Sequence, residues 1–116
     1  MKPIEIDKVQ EWLEKFNHQS VFIHLETTNG AYASHFNSGI NVGAYIRNAN
    51  VTFEQAKIVQ EDQSYRVGLK LEMGWIYAEG LTHWTIHEGS KLLLAGHDDE
   101  GRLMVALQIS EKPFDY

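Results

Sequence analysis

From Ser20 onward, apolar and polar residues alternate with a period of two, broken by turn-forming residues about every ten positions. That pattern predicts short strands of a sandwich or barrel. VFIHLE leads to Asn29-Gly30 and then AYASHF, NVGAYIR follows a Ser38-Gly39 break, and Asn48 to Asn50 separate it from VTFEQAKIV. EDQS precedes YRVGLKLE, and Met73-Gly74 turns the chain into WIYAEGL. HWTIH forms a further short strand, and the acidic turn Asp98-Asp99-Glu100-Gly101 joins KLLLAGH to RLMVALQIS. EQAKIVQED has the composition of a helix, but the alternation around it predicts a strand.

One segment has a different period. Val9, Trp12, Leu13 and Phe16 fall at i, i+3, i+4 and i+7, the stripe of an amphipathic helix. Asp7 is the expected N-cap, with Gln10 reaching back to it, and Asn17 the expected stop. Both prolines, Pro3 and Pro113, lie near the ends, where they interrupt no ladder. The reading is a single all-β domain over 1–116. It has a helix at about 7–17 and a mostly antiparallel meander of about eight or nine short strands over 20–110, closed as a barrel or stacked as a sandwich.

Composition narrows the function classes. The chain has 116 residues, 43% of them hydrophobic and 22% charged, as in a soluble globular domain. Its net charge is −6 with ten scattered basic residues, which argues against a binder of nucleic-acid backbone. Cysteine is absent, so disulfides, thiolate catalysis and cysteine-held metals are excluded. MKPIEIDKVQ lacks the apolar centre of a signal peptide, and no apolar run reaches the length of a helical membrane span. A cytoplasmic location without membrane or nucleic-acid partners is expected.

Two polar groupings carry the candidate chemistry. A two-residue Asn29-Gly30 turn would pair Thr28 with Ala31, Glu26 with Ala33 and His24 with His35. His24, Glu26 and His35 would then share one face, a two-His, one-carboxylate set able to hold zinc, iron or manganese in a hydrolase or oxygenase. The plainer reading is a solvated polar face without a cofactor, since clustered titratable groups are often structural. A cupin would show His-x-His where this chain has His-x-Glu. His83 and His87, four apart, lack a metalloprotease signature and read as a polar edge strand.

The second grouping lies around Met73-Gly74. A tight turn there would set Glu72 against Trp75, Lys70 against Tyr77, Gly68 against Glu79 and Arg66 against Leu81. Val67, Leu69, Leu71, Ile76 and Ala78 form the core face. Arg66, Lys70, Trp75, Tyr77 and Glu79 form the other, whose aromatic and charged mixture suits a sugar or another small polar ligand. Tyr45 and Arg47 in GAYIRNA are a further candidate pair, able to grip an anion. No phosphate loop or nucleophile elbow is present. KLLLAGH and RLMVALQI are apolar on both faces, which predicts burial on both sides and, with it, a homodimer. The function expected is therefore non-catalytic binding of a small polar ligand or a partner protein.

HLETTNGAY, GAYIRNA, YRVGLK, GWIYAEGLT and LQISEKPF together resemble the YojF-like family of small uncharacterised bacterial proteins, over nearly the whole chain. The resemblance implies a compact all-β fold with an N-terminal helix, and no assigned activity or catalytic residue. Members are often encoded near a zinc-dependent deacetylase of thiol-sugar metabolism. This implies an accessory role, with a partner enzyme, in bacillithiol metabolism.

Overall fold

The computed structural model describes residues 1–28 and 43–115. The helix forms over α1 (Ile6–Lys15), starting one residue and ending two residues earlier than its polar flanks suggest. Its N-cap is Glu5, which makes no side-chain cap, while Asp7 sits inside the first turn beside the positive end of the helix dipole. Val9 and Leu13 are buried, and Phe16 closes the helix as its C-cap. Gln10 points elsewhere. Its Nε2 donates to the Ala56 carbonyl at 2.9 Å and its Oε1 accepts from the Ile58 amide at 3.0 Å.

The described residues form nine strands: β1 (Lys2–Pro3), β2 (Ser20–Thr28), β3 (Gly43–Thr52), β4 (Gln55–Glu61), β5 (Ser64–Lys70), β6 (Trp75–Leu81), β7 (His83–His87), β8 (Lys91–His97) and β9 (Leu103–Ser110). QAKIVQE is indeed a strand, with Ala56 and Ile58 turned to the core. The predicted break at Asn48 to Asn50 does not occur. Asn48 instead adopts a left-handed φ of 59° as the extra residue of a bulge, and β3 runs on to Thr52. Asn tolerates that conformation, so a turn-forming residue here bends a strand without ending it. The chain changes sheets at Phe53, which is fully buried.

The strands form two antiparallel sheets, one ordered β1-β7-β8-β9-β2-β3 and the other β4-β5-β6. Their inner faces share one apolar cluster that includes Ile23, Leu94 and Leu107 from the larger sheet and Ile58, Val67 and Leu69 from the smaller. The result is an open sandwich. Among the described residues it is not a closed barrel, since no ladder joins the end strands of the two sheets. Nor is it one continuous meander, because β9 returns to pair with β2.

Both hydrogen-bonding edges of β2 are taken by β3 and β9, with His24 facing Arg47 of β3 and Gln108 of β9. His35 and the Asn29-Gly30 turn lie outside the described residues. The C-terminal hairpin is apolar on both faces as expected, and one chain buries much of both. Leu92, Leu94 and Leu107 enter the core, while Ala95 and Ala106 are buried on the opposite side.

Candidate functional site

The smaller sheet turns its outer face away from the core and gathers the aromatic and charged residues there. The β5–β6 register sets Lys70 against Trp75, Gly68 against Tyr77 and Val67 against Ala78. This is two residues from the expected pairing, because the connection is a four-residue turn in which the Leu71 amide donates to the Gly74 carbonyl. A shift of two preserves which side chains share a face. Gly68 consequently lies beneath Tyr77 and not beside Glu79.

The absence of a side chain at Gly68 shapes the site. A Cβ there would come within 3.0 Å of Tyr77 Cε1 and 3.5 Å of Trp75 Cε3, so both rings settle over bare backbone. Trp75 and Tyr77 stack with planes 8° apart and centroids 5.5 Å apart, yet keep 47% and 50% of their surface in solvent. They form one wall of a cleft of about 190 Å³, completed by Lys57, Val59, Arg66 and Gly68. The register from β4 explains this company, since Lys57 pairs with Gly68 and Val59 with Arg66. Lys57 was legible in the sequence only through the EDQS turn, which folds β4 back beside β5.

Charges on this face are unevenly matched. Arg66 lies 3.7 Å from Glu61, 3.8 Å from Glu79 and 5.6 Å over the Tyr77 ring. Glu79 thus serves Arg66 and does not line the cleft. Among the described residues, Lys57 and Lys70 are in no ion pair.

The remaining candidates lie on the larger sheet. Tyr45 packs edge-on against His24 with centroids 5.2 Å apart. Arg47 donates through Nε and Nη2 to the Asp115 carbonyl, and its guanidinium sits 4.9 Å over Phe114. Its donors are therefore partly used by the tail of its own chain. His24 and Glu26 do share a face, with Nε2 and Oε1 3.3 Å apart, and His24 is only 5% exposed. Its buried Nδ1 has no hydrogen-bond partner among the described residues. Also among the described residues, no group of three or more His, Asp or Glu side chains is placed to hold a metal. His83 and His97 meet edge to face at 5.4 Å, and His83 Nδ1 lies 2.7 Å from the Thr82 hydroxyl.

The comparisons with known proteins agree with this architecture. The family model described as a protein of unknown function, DUF1806, matches residues 3–114. The chain belongs to this family. The uncharacterised protein YojF of Bacillus subtilis (strain 168) is 56% identical to it over 115 residues, 98% of each chain. The crystal structure of Bacillus subtilis YojF superposes with a TM-score of 0.82 at 52% identity, covering 99% of this chain and 97% of that one. The DUF1806 family thus carries this sandwich without an assigned activity. No helix among the described residues is long and apolar enough to cross a membrane.

Proposed function

We propose that this protein is a non-catalytic cytoplasmic binding protein whose cleft on the smaller sheet takes a small polar ligand by packing one ring of it against Trp75 and Tyr77. The stacked, half-exposed aromatic pair over Gly68 carries this reading. Ligand sites combine apolar walls with a few placed polar groups, and here Lys57 and Arg66 supply the latter. The cleft is smaller than the roughly 300–1,000 Å³ typical of drug-sized ligands, which favours a single sugar-like ring. The accessory role in thiol-sugar metabolism implied by the family resemblance makes amino sugars the natural first probes.

Glucosamine, N-acetylglucosamine and glucose, titrated while the Trp75 indole signal is followed by NMR, test the reading. At least one is expected to shift that signal and raise the melting temperature, with both effects lost in Trp75→Ala and Tyr77→Ala. Each variant should change stability by less than about 1 kcal/mol, since both rings are half in solvent. A panel that moves nothing removes the proposal. Light scattering at micromolar concentration tests the expected homodimer in the same samples. A dimer that persists in Trp75→Ala leaves the face to the ligand, whereas one that dissociates in this variant assigns the face to a second copy and overturns the ligand reading.

A further inference from the structure

The free charges around the cleft say more about its occupant. The outer face of the smaller sheet is laid out in rows by register: Gln55, Lys70 and Trp75 in one, Lys57, Gly68 and Tyr77 in the next, and Val59 beside Arg66 in a third. Arg66 is neutralised by Glu61 and Glu79. Lys57, which lines the cleft, and Lys70, one row along beside Trp75, stay unneutralised among the described residues. Two such ammonium groups thus lie next to an aromatic pair on a chain with a net charge of −6. An ammonium is a mobile point charge with three donors, suited to an anionic substituent held beside a ring.

From this we infer that the ligand is a sugar-like ring bearing an anionic group, a phosphate or a carboxylate, with the ring against Trp75 and Tyr77 and the anion reached by Lys57 and Lys70. The inference rests on the ligand reading above and adds the charge of the ligand to it. Phosphate and carboxylate share the chemistry that two lysines recognise, and separate probes distinguish them.

The test compares a glucose monophosphate, glucuronate, neutral glucose and inorganic phosphate on the full chain, read by the Trp75 indole signal at low ionic strength. One or both charged sugars should bind about tenfold tighter than glucose, the tighter of the two naming the anion, and rising salt should erode the difference. In a Lys57→Gln/Lys70→Gln double variant the charged sugars should fall to within about twofold of glucose. Glucose itself, which keeps Trp75, Tyr77 and Arg66 but loses Lys57, should weaken by less than the charged sugars do. Because both lysines are exposed, the variant is expected to fold, and an unchanged melting temperature confirms it. Equal binding of charged and neutral sugars overturns the inference and leaves the ligand reading standing. Inorganic phosphate binding as tightly as the glucose monophosphate removes the ring from recognition and also overturns it. If none of the probes moves Trp75, both readings fall together.

Discussion

Asp98 shows how one carboxylate can organise a turn. Its Oδ1 accepts from the Glu100 and Arg102 amides, each at 2.9 Å, and its Oδ2 lies 3.3 Å from Arg102 Nε. Those amide bonds, the Arg102 amide first, and the guanidinium charge hold its carboxyl below the ordinary aspartate value. A depressed folded pKa contributes stability that is present above the unfolded value and lost as the pH falls through the folded one. Asp98→Ala should therefore melt below the wild type at neutral pH, with the gap closing on acidification. Calorimetry across the acid range checks this, and a gap of constant size would refute it. The turn residue was legible in the sequence because Asp and Gly at these positions have a local role: Gly101 takes the left-handed φ of 78° and Asp98 bonds its neighbours. The burial of His24 was not legible. It follows from tertiary placement, with β3 and β9 on either side of His24 and the Tyr45 ring edge-on against it.

At the scale of elements, the least expected contact is that of α1 with the edge of β4. An edge strand presents unpaired amides and carbonyls, and proteins cover or blunt such edges. Here the Gln10 amide fills two of those positions, accepting from Ile58 and donating to Ala56 as a neighbouring strand would. Gln10→Ala should cost about 1–3 kcal/mol for two lost, partly buried hydrogen bonds. Urea denaturation measures this cost, and faster hydrogen exchange at the Ile58 amide locates it. Unchanged exchange there would show that water replaces the side chain without loss. The sequence suggested a local cap for Gln10, since its spacing from Asp7 fits one. The choice went to the strand because the helix stripe of Val9 and Leu13 must face the core, which carries the neighbouring side chain over β4. The β5–β6 hairpin is the complementary case. Its pairing slipped by two residues, but the faces were predicted correctly because a slip of two preserves side-chain parity.

For the whole molecule, a tight constraint lies where the two sheets meet. A Cβ on Gly96 of β8 would lie 2.0 Å from the Gly80 carbonyl oxygen of β6 and 2.7 Å from Val105 Cγ1. Gly80, with a φ of 82°, lies near the end of β6, where the chain passes from the smaller sheet towards β7 of the larger. Backbone pressed on backbone cannot yield as a side chain can, so Gly96→Ala should lower stability by about 3 kcal/mol or more. Thermal unfolding measures that loss, and a near-wild-type melting temperature would mean that the sheets separate there at little cost.

The sequence by itself determined the elements and their faces. Period-two alternation, a single 3.6-period stripe and turn chemistry are local properties, and they set the helix, the all-β class and the aromatic-charged face of β5 and β6. Tertiary structure alone decided which strands are neighbours. β9 lies between β8 and β2, and this returning strand, with β3 on the other side, takes both edges of β2 at His24. It also decided which polar residues meet: Lys57 joins Trp75 and Tyr77, while Tyr45 and Arg47 stay with the larger sheet. Alternation states which way a side chain points, but any strand with the right parity can pair with any other. The choice among partners comes from burying one shared core, a property of the whole chain.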